Sequence, residues 1–148
     1  MGNNPRLATA GTGDIPKVLE LGANTVINFQ TERFEEQVHD VDAVIDLVGG
    51  PTQERSFQVL RRGGKLISAV SQPDQGLANR YGVEAAFFLV DVQTKYLADI
   101  SDLIDRVYLK THVGVVLPLS NAQEAHLMLD GVVPRPKGKI VLAVTPNS

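Results

Sequence analysis

The 148-residue chain carries 43% hydrophobic and 21% charged residues, proportions that fit one folded domain and exclude a disordered or fibrous chain. Its formal net charge of −3 supplies no basic field for nucleic acid, and no apolar run reaches the roughly 18 residues that cross a bilayer. There is no cysteine for a disulfide framework, and the opening MGNNPRLATA lacks the charged and apolar regions of a secretion signal, so a cytoplasmic location is expected.

Short β-rich runs alternate with helical patterns along the chain. The strand RLATA (Arg6–Ala10) ends at GTGD, and Asp14 is placed to cap a helix through IPKVLELG, with Pro16 tolerated in the first turn and Gly22 closing it. TVINF (Thr25–Phe29) is the next strand. In ERFEEQVHD, Phe34 and Val38 at i, i+4 predict a short amphipathic helix. DAVIDLV (Asp42–Val48) is almost continuously apolar, the pattern of a strand covered on both faces. After Gly49, Gly50 and Pro51, Phe57 and Leu60 line a helix expected to end at Gly63-Gly64, with Arg61 and Arg62 as its solvated end. KLISAV (Lys65–Val70) is another buried-type strand.

SQPDQGLANRYG reads as the longest loop. EAAFFLVDV follows as a strand, and KYLADISDLIDRVYL as the best helix, with Leu97, Ile100, Ile104 and Val107 at helical spacing. HVGVVLPL is a strand, NAQEAHLMLDG a helix capped at Asn121 and closed at Gly131, and KGKIVLAV the last strand. Repeated strand-helix alternation predicts an α/β fold with a doubly wound, mostly parallel sheet.

Taken in this order and spacing, LATAGTGDIPKVLELGANTVINFQ, VDAVIDLVGG, LRRGGKLISAV, EAAFFLVDV and VLPLSNAQEAHLMLDG with KGKIVL resemble the medium-chain dehydrogenase/reductase superfamily. The likeness is to the quinone oxidoreductase-like, zinc-independent branch and covers nearly the whole chain. It implies a single partial dinucleotide-binding domain over residues 1–148, of Rossmann-like fold. The segment from about residue 113 to 148 returns, in the family, toward the catalytic domain. It also implies NADP(H) as cofactor, with hydride transfer to a quinone, enone or carbonyl.

The same resemblance implies a set of cofactor-binding residues. Thr9, Ala10 and Gly11 would border the adenosine ribose, where a small uncharged residue leaves room for a 2′-phosphate. Lys17 would be the phosphate's cationic partner, although a solvated helix lysine is the alternative reading of that residue. Phe29 stands where many NADPH-preferring members have tyrosine. Val48 and Gly49 would lie on the ribose side, Ser68 and Ala69 on the nicotinamide side, and the backbone of Phe87, Phe88, Leu89 and Val90 beside the nicotinamide amide. Lys139 is a further candidate to reach the cofactor.

The resemblance begins at the family's second strand. No counterpart of the first strand and glycine-rich turn, which seat the pyrophosphate, is found here, and GTGDIP does not replace them because Pro16 sits at the third glycine position. Three outcomes follow for a sheet without its middle strand: the flanking strands close up, another copy fills the gap, or the chain is a piece of a longer protein. A homodimer is expected. His39, His112 and His126 have no ligand spacing, so no metal site is expected, and no catalytic residue stands out. Asp46 reads equally as a ligand contact or as an acid satisfied by loop amides. The alternatives to a reductase portion are a non-catalytic dimerisation module and, with less support, a class I methyltransferase-like domain.

Overall fold

Every strand pairing in the computed structural model, which describes residues 5–89 and 91–144, is parallel. The chain divides into two units, the first running to residue 90 and the second beginning at residue 91.

In the first unit, β1 (Leu7–Ala10) leads through α1 (Ile15–Glu20) to β2 (Thr25–Asn28), and the two strands pair in register from Leu7↔Thr25 to Ala10↔Asn28. A separate three-stranded sheet runs in the order β3 (Val41–Asp46), β4 (Leu60–Ser68), β5 (Glu84–Phe87), connected by α2 (Gly50–Ser56) and α3 (Gln75–Tyr81). Among the described residues β1 and β3 do not pair, so the flanking strands have not closed up on each other. The parallel α/β character is as expected. Packing joins the pieces: Ile27 of β2 meets Val38 and Val59, with Phe34, Val41 and Val44 against them. A second cluster gathers Phe57, Leu60, Leu66 and Ala78.

Several local expectations are corrected. The helix predicted around Phe34 and Val38 is only a 3-10 turn over Phe34–Glu36, although Val38 is buried. A run this short gains too few hydrogen bonds to offset helix nucleation. The buried Glu35 carboxylate instead pins this turn through Arg33 (2.9 Å) and Arg55 (3.1 Å). The helix expected to run to Gly63-Gly64 stops at Ser56, and after a 3-10 turn over Phe57–Val59 the chain enters β4 at Leu60. Arg61 and Arg62 therefore lie on a strand. Val41 pairs with Leu60 and Ala43 with Lys65, so residues 61–64 bulge opposite Asp42, to which Arg61 bonds at 2.8 Å. Gly63 makes that bulge possible with φ of +73°.

The supposed loop contains α3. Asp74 accepts a hydrogen bond from the Leu77 amide at 2.8 Å, and Gly82 closes the helix in the left-handed region. The strand after it is shorter than expected, ending at Phe87. Nor is β3 covered on both faces: Ile45 is 62% exposed.

The second unit consists of α4 (Thr94–Asp105), β6 (Val113–Pro118), α5 (Ala122–Leu129) and β7 (Lys139–Ala143), close to the predicted spans except that α4 stops at Asp105 and leaves Val107 beyond it with φ of +62°. β6 and β7 pair in parallel with an irregularity between Val113 and Val115. The apolar side of α4, with Leu97, Ile100, Leu103 and Ile104, is exposed. No helix among the described residues is long and apolar enough to cross a membrane.

Candidate functional site

Parallel α/β sheets bind ligands at the carboxyl ends of their strands, where loops replace the ladder and backbone groups become available. Two groups of the expected residues gather at such ends. At the ends of β1 and β2, Phe29 donates its backbone N–H to the Ala10 carbonyl at 3.2 Å, and its ring lies against Gly11, where a Cβ would stand 3.6 Å from Phe29 Cζ. Thr9, Ala10, Gly11 and Phe29 are thus neighbours. Gln30 Oε1 accepts from both the Thr12 amide (2.9 Å) and hydroxyl (3.0 Å), while Asn28 Nδ2 donates to Thr12 Oγ1 at 2.8 Å. The end of β1 is polar but uncharged, with Ala10, Gly11 and Thr12 there and Asp14 the nearest acid along the chain, while at the end of β2 the Glu32 carboxylate accepts from the Asn28 amide at 3.1 Å. Lys17 lies on α1, where its ammonium pairs with Glu20 at 3.1 Å across one helical turn.

The second group surrounds Asp46, the last residue of β3 and a buried acid. Its Oδ1 accepts from the amides of Val48 (3.0 Å) and Gly49 (2.9 Å), and its Oδ2 from Gln53 Nε2 (2.8 Å) and Ser68 Oγ (2.7 Å). The loop-amide reading of Asp46 is the one the geometry bears out. Val48 is exposed and Gly49 buried, with φ of +76° and room for a Cβ only 3.0 Å from Val70 Cγ1. Both features favour glycine there. Ser68 is fully buried and Ala69 half-buried beside it. Phe88 and Leu89 are exposed past the end of β5, and Phe88 donates its amide to the Ser68 carbonyl at 3.1 Å. Val90 lies outside the described residues. Lys139 begins β7 in the second unit, where its amide bonds the His112 carbonyl at 2.8 Å. Gln53 and Ser71 join this site without having been singled out in the sequence, because a polar residue inside a helix or loop carries no local mark of burial.

Burial pushes the Asp46 carboxyl up, and the hydrogen bonds from Gly49, Ser68, Val48 and Gln53 outweigh it, leaving the group below the usual carboxylate range. A folded-state value lower than the unfolded one stabilises the protein fully above the unfolded pKa of about 4 and ceases to do so as pH falls through the folded value. Glu35 is also lowered, with burial opposing its own backbone bond and its two arginines. The expected result is a melting temperature that drops below about pH 4, less steeply in Asp46→Asn than in the wild type, as read by thermal scans across that range.

No group of three or more His, Asp or Glu side chains among the described residues could hold a metal ion. With no cysteine either, the residues present do not fit a zinc site.

Parallel strands, helical crossovers and a loop-lined carboxyl edge define the nucleotide-binding half of a medium-chain dehydrogenase/reductase. Sequence comparison agrees: residues 21–142 match the zinc-binding dehydrogenase family, and the chain belongs to it. It is 29% identical over 147 residues to a protein of Arthroderma benhamiae named as a probable mitochondrial zinc-binding oxidoreductase, covering 93% of this chain and 44% of that one. Among solved structures it resembles the quinone oxidoreductase from Coxiella burnetii, with a TM-score of 0.81 and 27% identity over 95% of this chain and 45% of that one. It also resembles an NAD-dependent alcohol dehydrogenase, with a TM-score of 0.77 and 25% identity over 95% and 44%. The chain therefore spans less than half the length of these relatives. Membership in this family sets aside the methyltransferase-like alternative.

Proposed function

We propose that this chain is the nucleotide-binding portion of an NADP(H)-dependent, zinc-independent oxidoreductase that transfers hydride to a quinone, enone or carbonyl. It is one partial dinucleotide-binding domain, with the segment from about residue 113 serving the catalytic domain's side. The observation that carries the cofactor preference is the end of β1, where Ala10, Gly11 and Thr12 offer no carboxylate to a ribose hydroxyl. An acid at that place would repel a 2′-phosphate, and a small residue accommodates it. Lys17 supplies the phosphate's counter-charge by exchanging its Glu20 partner. Phe29, Val48, Gly49, Ser68, Ala69, Phe88, Leu89, Val90 and Lys139 complete the cofactor-binding set.

The bound cofactor supplies the hydride; this chain's residues bind and orient it. Substrate selection and any proton donor come from residues that this sequence does not include. Among the described residues β1 and β3 each leave one edge unpaired, and those edges favour a homodimer. A second reading, a non-catalytic dimerisation module, rests on the same unpaired edges. A cytoplasmic location is part of the same proposal, and cell fractionation tests it against the relative named as mitochondrial.

Titration of the purified chain with NADPH and NADH, followed by nicotinamide fluorescence with the mass in solution measured on the same sample, tests the proposal. Saturable binding that prefers NADPH is expected. Lys17→Ala should weaken NADPH about tenfold, the value of one lost charge-assisted hydrogen bond, and leave NADH unchanged. No binding at millimolar cofactor together with a stable dimer would favour the second reading.

A further inference from the structure

The loops that follow β3 and β4 share one buried carboxylate. Asp46 belongs to the first, and its four acceptor positions are filled from three directions: the Val48 and Gly49 amides of its own loop, Gln53 of α2 and Ser68 of β4. Each of the latter two reaches onward to the second loop. Gln53 Nε2 also lies 3.2 Å from the Ser71 carbonyl and 3.3 Å from its hydroxyl. Ser68 Oγ, having donated its proton to Asp46, accepts from the amides of Val70 (3.2 Å) and Ser71 (3.3 Å). The main chain adds a direct tie, from the Ala69 amide to the Asp46 carbonyl at 3.0 Å. Above this polar layer Gly49 abuts the Val70 side chain.

With every acceptor position filled, Asp46 has nothing left for a ligand, so whatever it does for binding it does through the loops. We infer that Asp46 is a positioning residue that locks the Val48–Gly49 and Val70–Ser71 backbones into one unit and thereby sets the ligand slot they border. The inference deepens the cofactor-binding reading above and rests on it for the identity of the ligand. Its physical basis is the sign of the partners. Both oxygens of Asp46 face donors, and an asparagine in its place would point its own amide protons at two of them, whichever way it turned. With its amide toward the loop it would orphan the Val48 and Gly49 amides; turned away, it would meet Gln53 only if Gln53 gave up its Ser71 carbonyl bond, and the Ser68 hydroxyl would lose its acceptor, so the loops would be released together.

The test uses the full chain and three variants: Asp46→Asn, the gentler Gln53→Met, and Leu66→Ala as a core variant outside the network. Amide exchange is read at Val48, Gly49, Val70 and Ser71. Asp46→Asn should speed exchange at all four by at least about tenfold while the Ile27 amide keeps its rate. Gln53→Met should also speed both loops, even if Asp46→Asn folds poorly. Faster exchange confined to Val70 and Ser71 in Gln53→Met would overturn the inference, since the loops would then move independently. NADPH titration supplies the second readout: Asp46→Asn and Gln53→Met should weaken binding about tenfold, and Leu66→Ala, despite its larger stability loss, by much less. Equal weakening in all three would reduce Asp46 to a general stabiliser. If the wild-type chain binds no NADPH, the cofactor reading fails, and the exchange experiment still decides whether the loops are locked together.

Discussion

Replacing Phe57 by alanine is expected to cost about 3–5 kcal/mol, enough to unfold much of the first unit at ambient temperature. Phe57 is fully buried at the end of α2, stacked on Tyr81 with ring centroids 6.2 Å apart, and packed with Leu60, Leu66 and Ala78. It thus holds α2, β4 and α3 to one another. Removing the ring forfeits its transfer free energy and leaves a cavity that neighbours on β4 and α3 cannot fill together. Urea unfolding of the wild type and Phe57→Ala measures the difference directly. Phe57→Leu, which keeps most of the volume, should lose less than half as much. Near-equal midpoints for Phe57→Ala and the wild type would mean that α2 and α3 are held by something other than this cluster.

Gly138→Ala is the second large effect, at about 2–6 kcal/mol, confined to the second unit. Gly138 has φ of +112°, a region costly for any residue with a Cβ, and that Cβ would lie 2.6 Å from the Gly114 amide nitrogen and 2.9 Å from the His112 carbonyl. Backbone strain and overpacking add here, each worth about 1–3 kcal/mol. Gly114 is the reciprocal half of the same crossing, since a Cβ there would run into the Lys137 carbonyl. The two glycines sit where β6 and β7 meet irregularly, just before the ladder becomes continuous from Val115↔Ile140. Amide exchange at Val116 and Val141 should accelerate strongly in Gly138→Ala, while the Ile27 and Leu66 amides in the first unit stay protected. Unchanged protection at Val116 and Val141 would show that the crossing relaxes cheaply.

Element type was legible where one physical signal dominated. Leu97, Ile100 and Ile104 predict α4 because a helical apolar stripe has no other economical conformation, and the apolar runs of β3, β6 and β7 predict strands for a similar reason. Where two signals competed, reading residues one after another was less successful. The sparse apolar content of residues 75–81 hid a helix whose Asp74 cap and Gly82 terminator were both present. Gly63-Gly64 looked like a helix end and is a bulge opposite Asp42, because β4 must pair with β3 at both of its ends. Of the expected cofactor residues, the strand ends carrying Thr9, Ala10, Gly11 and Phe29 come together as neighbours in the fold. Gln53 and Ser71 carry no such signal, because packing alone brings them to Asp46.

By itself the sequence determined the parallel α/β class, the order of its strands, the family and the uncharged end of β1, since all of these depend on residue types at fixed spacings along the chain. The tertiary structure alone decided which oxygen of Asp46 meets which donor, that the loops after β3 and β4 share that carboxylate, and that among the described residues β1 and β3 do not pair with each other. Those are relations between residues far apart in sequence, set by the packing of whole elements, and no local periodicity encodes them.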